Sequence, residues 1–164
     1  MSEDQDARGR GVMSVLVHIG LTVSDMARSV RFYTEAFGFT YDRELRMTAA
    51  QIDPLMQLQP PSDIHAVYLM LGGQTLELMV FDPPSAPAAA SRMFNQTGLA
   101  HLSIAVDDIA DTCARAEALG GTVSKRVDRA AILRDPDGQL VELVTRVFND
   151  RLEKGRAERA GAAG

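Results

Sequence analysis

Four residues of this 164-residue chain have the types and the spacing for chemistry: His18, Glu77, His101 and Glu142. The chain holds 3 histidines. Two of them stand in matched surroundings, "LVHIGLTV" around His18 and "LAHLSIAV" around His101. The glutamates are matched in the same way, by "LELMV" around Glu77 and "VELVT" around Glu142. Two neutral imidazoles and two carboxylates form a ligand set suited to one divalent Zn, Ni, Co, Mn or Fe ion. Two carboxylates would also nearly balance the charge of such an ion, which lets a glutamate stay ionised away from water. His65 has no counterpart and reads as a surface or edge residue.

The elements that must position these four side chains come in two similar runs. "VLVHIGLTV" (Val15–Val23) alternates branched residues with small or polar ones, as a half-buried strand does. Ser24 or Asp25 can cap a following helix whose stripe of Met26, Val30, Phe32, Tyr33 and Phe37 predicts a packed face. Gly38 ends that helix, and a strand is expected over 39–46. "IHAVYLML" and "QTLELMVF" then make a hairpin about Gly72-Gly73. The second run repeats the plan: a strand, Asp107-Asp108, a helix to Ala118, Gly120-Gly121, the strand "TVSKRV", and a hairpin about Asp135-Pro136-Asp137-Gly138. An offset of 83 carries His18 onto His101, Asp25 onto Asp108 and Gly38 onto Gly121. The expected fold is therefore α+β, two tandem βαβββ modules with curled mixed sheets that form a metal-containing cleft.

Strand parity gives the four side chains a common direction. Val17, Ile19, Leu21 and Val23 share the face that the helix must cover, so His18 points the other way. His101 opposes Leu102, Ile104 and Val106 by the same count, Glu77 opposes Leu76, Leu78 and Val80, and Glu142 opposes Val141 and Leu143. The domain plan is a flexible arm over 1–12, a first module over 13–82, a linker over 83–98, a second module over 99–147 and a tail over 148–164. The tail begins as a short helix after Val147 and frays before its end. Met47–Asp63, with Pro54, Pro60 and Pro61, is either a short helical lid with apolar Ile52, Leu55, Met56 and Leu58 or a plain surface loop.

Charge and composition exclude several classes. The net charge of -5, without a run of Lys or Arg, argues against nucleic acid. No secretory signal or membrane span is expected, and the single Cys113 allows no internal disulfide, so a reducing cytoplasm is the expected location. Cys113 lies among small and apolar residues of a predicted helix and reads as a packing residue rather than a nucleophile.

The stretches "HIGLTVSDMARSVRFYTEAFGF", "LELMVF", "AHLSIAVDDI" and "LRDPDGQLVELV" resemble the vicinal oxygen chelate superfamily, which gathers glyoxalase I, methylmalonyl-CoA epimerase, extradiol dioxygenases and the fosfomycin and bleomycin resistance proteins. The likeness runs from Val15 to Arg146. It implies metal ligands on the first and last strands of each module, here His18, Glu77, His101 and Glu142, often drawn from both chains of a homodimer. Retention of both glutamates points to a metal-dependent lyase or isomerase of the glyoxalase I or epimerase type, acting on a small organic substrate. The family resemblance makes Glu142 the first choice to carry the proton and Glu77 the second, next to a substrate oxygen polarised by the ion. The alternatives are an Fe(II)-dependent extradiol-type dioxygenase and a non-catalytic protein that binds a drug or metabolite. "KRVDRAAIL" and Met47–Asp63 depart from the glyoxalase I pattern and leave the substrate open.

Overall fold

The computed structural model describes residues 14–83 and 93–161. The expected N-terminal arm and most of the expected linker lie outside the described residues. The first module runs β1 (Ile19–Thr22), α1 (Met26–Phe37), β2 (Thr40–Met47), α2 (Ala49–Met56), β3 (Asp63–Leu71) and β4 (Gln74–Asp82). The second runs β5 (His101–Val106), α3 (Ile109–Ala118), β6 (Thr122–Val127), β7 (Ala130–Arg134) and β8 (Leu140–Thr145), followed by α4 (Arg146–Gly161). Each module folds into an open four-stranded mixed sheet, β1-β4-β3-β2 and β5-β8-β7-β6. The first strand of each lies parallel to the last, and the other pairs are antiparallel.

Local chemistry explains why the helices start where they do. Asp25 caps α1 by accepting from the Arg28 N–H at 3.0 Å, and Asp108 caps α3 from the Asp111 N–H at 2.9 Å. Gly38 closes α1 at φ 80°, and the second module does the same with Gly120 at φ 90°. The conformational match of Gly38 is thus Gly120, not Gly121, because the second helix is shorter. Gly121 has a different task. A Cβ there would lie 2.8 Å from Phe32 Cε2 and 2.9 Å from the Arg134 carbonyl oxygen, so this is where α1 touches the second module.

One core joins the two modules. Phe32 and Tyr33 of α1, Leu69 and Leu78 of the first sheet, and Leu133, Val141 and Leu143 of the second are buried in a single cluster. Burying each large side chain of this kind is worth ~1.5–3 kcal/mol. Cys113 lies in the same cluster, and burial pushes its thiol pKa up, as befits a packing residue. Polar contacts tie the modules beside this core. The Tyr33 hydroxyl donates to Asp135 at 2.9 Å, and Ser24 and Arg28 donate to Asp137, the guanidinium at 2.6 Å. Burial raises the Asp135 pKa against the donation it receives from Gln139, Tyr33 and Asp137. Burial also pushes Asp137 up, but the Ser24 and Arg28 donors outweigh it and leave that carboxyl below its ordinary value.

Within Met47–Asp63 the structure places one helix, α2, over Ala49–Met56. The Thr48 N–H donates to Gln51 Oε1 at 2.8 Å, and the Ala49 N–H to Asp63 Oδ1 at 2.7 Å, so α2 is tied back to the start of β3. Ile52 packs with Ile64, Ala66 and Tyr68, on the face of the first sheet opposite to the main core. α4 is longer than the short helix expected of the tail and follows β8 directly, its Arg146 bonded to Asp107 at 2.6 Å. His65 lies on β3, an inner strand rather than an edge, and bonds Glu44 at 3.1 Å. Among the described residues no helix is long and apolar enough to cross a membrane.

Candidate functional site

Each histidine lies beside its glutamate. Glu77 sits opposite Gly20 on β1 and Tyr68 on β3, and Glu142 sits opposite Ser103 on β5 and Ile132 on β7. His101, the first residue of β5, stands two residues before Ser103 and shares its face. The strand expected from Val15 begins only at Ile19, so His18 lies just before β1 and is placed by its contacts with Glu77 and Tyr68. His18 Nε2 lies 3.1 Å from Glu77 Oε2, and His101 Nε2 lies 3.5 Å from Glu142 Oε2. The four expected side chains therefore come together two by two, one His–Glu pair per module. Among the described residues no three His, Cys, Asp or Glu side chains gather closely enough to hold an ion together. The physical reason is the shared core. Both sheets turn their helix-covered faces toward it, and the pairs lie on the opposite faces.

The donor chemistry fits a borderline divalent metal. Ligand atoms held about 2.0–2.1 Å from one ion at near-tetrahedral angles stand about 3.3 Å apart. The two pairs, at 3.1 and 3.5 Å, bracket that separation. His18, Glu77, His101 and Glu142 are the residues that would hold it.

The surroundings of the two pairs differ. The Tyr68 hydroxyl donates to Glu77 Oε1 at 2.6 Å, and that bond, with burial, raises the phenol pKa. The Tyr68 ring meets His18 edge-on at 5.8 Å, and the Arg43 guanidinium lies 4.1 Å over it. In the second module Ser103 donates to Glu142 Oε2 at 2.8 Å, and the Phe94 ring leans on His101 at 4.8 Å. Glu77 is 12% exposed at its side chain, Glu142 32%. The His101 Nδ1 is buried with no hydrogen-bond partner among the described residues.

Sequence reasoning missed Tyr68, Arg43, Phe94 and the role of Ser103. A signal existed for Tyr68. The two-residue Gly72-Gly73 turn sets Leu71 opposite Gln74, and counting back places Tyr68 opposite Glu77. Phe94 carried none, as an aromatic inside a linker has no periodicity to betray its direction.

The comparisons agree with this architecture. A family model described as the glyoxalase/bleomycin resistance protein/dioxygenase superfamily matches residues 15–143. A probable lactoylglutathione lyase of Vibrio parahaemolyticus serotype O3:K6 (strain RIMD 2210633) is 26% identical over 144 residues, 79% of this chain and 88% of its own. A probable chloroplastic lactoylglutathione lyase of Arabidopsis thaliana is 28% identical over 138 residues, 80% of this chain, and the match spans 35% of that longer protein. Among solved structures, a glyoxalase family protein from Bacillus cereus superposes with a TM-score of 0.74 at 15% identity, covering 85% of this chain and 98% of that one. At that identity the likeness is one of fold.

Proposed function

The chain belongs to the glyoxalase/bleomycin resistance protein/dioxygenase superfamily, and from that membership we propose that it is a metal-dependent lyase or isomerase of the glyoxalase I or epimerase type. The observation that carries the reading is the repetition of one His–Glu pair at the same place in both modules, at 3.1 and 3.5 Å. The names of the lactoylglutathione lyase relatives support the lyase arm.

A bound divalent ion would supply Lewis acidity toward a substrate oxygen. The protein's share is binding, orientation and proton transfer. In the glyoxalase I-type reaction Glu142, the more exposed carboxylate, takes the proton from the carbon next to that oxygen and returns it to the neighbouring carbon, whereas an epimerisation returns it to the opposite face of the same carbon. Glu77, held by both Tyr68 and His18, would stay a ligand. His18 and His101 would complete the set, through the Nε2 atoms that face Glu77 and Glu142. The substrate is a small organic molecule, and α2 borders its site beside Tyr68.

A homodimer accounts for the separation of the pairs. Each chain offers two half-sets on outward faces, and a two-fold pairing of copies would set the His18–Glu77 half of one chain against the His101–Glu142 half of its partner. Leu45 and Val127, 41% and 55% exposed, belong to those faces by register with Ala66 and Ala130 and are apolar surface for a second copy to cover.

The test is turnover. Protein stripped by chelation and reloaded separately with Ni, Co, Zn, Mn or Fe would be assayed for lactoylglutathione formation from glutathione and a 2-oxoaldehyde, and for epimerisation of 2-methyl-branched thioesters. Turnover in either assay that needs the metal supports the reading. Turnover unaffected by chelation, or none in any loaded form, counts against it.

A further inference from the structure

Glu77 and Glu142 occupy equivalent positions but are not equivalently held. Tyr68 takes one oxygen of Glu77, Oε1 at 2.6 Å, and leaves Oε2 to His18 at 3.1 Å. In the second module the position of Tyr68 is filled by Ile132, which has no hydroxyl. There Ser103 and His101 both address Oε2 of Glu142, at 2.8 and 3.5 Å, and Oε1 has no protein partner among the described residues. One carboxylate is gripped at both oxygens. The other is gripped at one.

Tyr68 is itself fixed on every side. The residue is 7% exposed, and its ring packs with Ile52 of α2 and with Ile64 and Ala66, meets His18 at its edge and carries Arg43 over its face. A phenol so enclosed keeps its two rotors in one state, so the hydroxyl is a preset donor rather than one that must find its place. Carboxylates that ligate a metal are commonly oriented by such an outer hydrogen bond, whose removal costs 10–100-fold in affinity or activity.

We propose that Tyr68 is a positioning residue that commits Glu77 to permanent metal ligation, through a phenol–carboxylate bond that the second module lacks, and so leaves the proton-carrying role to Glu142. The proposal rests on the metal reading above. It also gives α2 a consequence beyond cover, since Ile52 packs on the ring that orients a ligand.

The experiment is titration of chelated protein with Co(II) and with Zn(II), on the wild type, Tyr68→Phe, Glu77→Gln, Tyr68→Phe/Glu77→Gln and Ser103→Ala, with thermal melting as a check that each is folded. Tyr68→Phe removes only the hydroxyl. Its affinity for both ions should fall about 10–100-fold, and the visible spectrum of its Co(II) form should change as Glu77 turns. In the Glu77→Gln background the same substitution should cost little more, because the two act through one bond. Ser103→Ala removes a bond to the carboxylate that is held at one oxygen only, so its affinity should fall clearly less than that of Tyr68→Phe. Unchanged affinity and an unchanged Co(II) spectrum in folded Tyr68→Phe would overturn the proposal while leaving the metal reading intact. Equal losses in Tyr68→Phe and Ser103→Ala would overturn the asymmetry it asserts. A wild type that binds neither ion would overturn the metal reading, and this proposal with it.

Discussion

Gly20 and Ser103 hold the same register position in their two sheets, each directly opposite a glutamate, and only Ser103 can donate to it. The repeat has thus kept its backbone plan and its His–Glu pair while giving the two carboxylates different neighbours. A two-fold repeat with different neighbours is how one fold unit can serve two chemical roles.

The division of roles is read by substituting the carboxylates one at a time. Glu142→Gln is expected to retain most of the bound metal and to lose about 10²–10⁴-fold in kcat, the usual contribution of a general base. Metal content by elemental analysis and kcat from steady-state turnover decide it. Turnover within a few-fold of the wild type would remove Glu142 from the role.

Sharing of the site between two chains predicts complementation. His18→Ala breaks one half-set and His101→Ala the other, so each homodimer lacks every intact site. Refolded together, about half the dimers are mixed, and each mixed dimer rebuilds one of its two sites, about a quarter of wild-type activity and metal overall. A site confined to one chain predicts no recovery in the mixture.

The contacts between modules carry a pH signature. The Asp137 carboxyl is pushed up by burial but held below its ordinary value by Ser24 and Arg28. A carboxyl with a lowered folded pKa stabilises the protein above its unfolded pKa, and that stability is lost as pH falls through the folded one. Ser24→Ala should therefore lower stability by about 1 kcal/mol at pH 6, a figure set by one charge-assisted bond at a partly exposed site. The penalty should shrink below pH 4. Urea midpoints at pH 6 and pH 3 measure it, and an equal penalty at both would refute the assignment.

Gly121 tests the close approach of α1 to the second module. Ala there would drive a methyl to 2.8 Å from Phe32 Cε2 and to 2.9 and 3.0 Å from the carbonyl oxygens of Arg134 and Ala116. Two of the three obstacles are backbone and cannot move aside, so Gly121→Ala should cost about 1–3 kcal/mol as overpacking does. Gly155→Ala, on the exposed α4 with its nearest atom the end of an arginine at 3.4 Å, should not destabilise. Thermal melts of the two variants give the comparison.

Much of this was legible in the sequence because β structure has a period of two. Parity alone sent His18, Glu77, His101 and Glu142 away from the helices; the register agrees for Glu77, His101 and Glu142, while His18 lies just before β1 and has no register partner. It could not say that α1 and α3 build one core shared by both sheets, because Phe32 and Leu143 reveal burial and not what they are buried against. Hence the four side chains, expected in one cleft, are found as two pairs. The α2 helix was equally hard to see, since Pro54 lies inside it and its N-terminus is secured by Asp63, a residue 14 positions away. Tyr68 was within reach of hairpin counting, yet a tyrosine in an apolar strand reads first as core.

The central claim is that His18, Glu77, His101 and Glu142 hold a divalent metal. Elemental analysis of protein purified without chelators, alongside the His18→Ala/His101→Ala double variant, tests it most directly. The account predicts about one transition-metal ion per chain in the wild type and close to none in the variant. A wild type without metal even after reconstitution with Ni, Co, Zn, Mn and Fe, or a double variant that binds as much as the wild type, would contradict it.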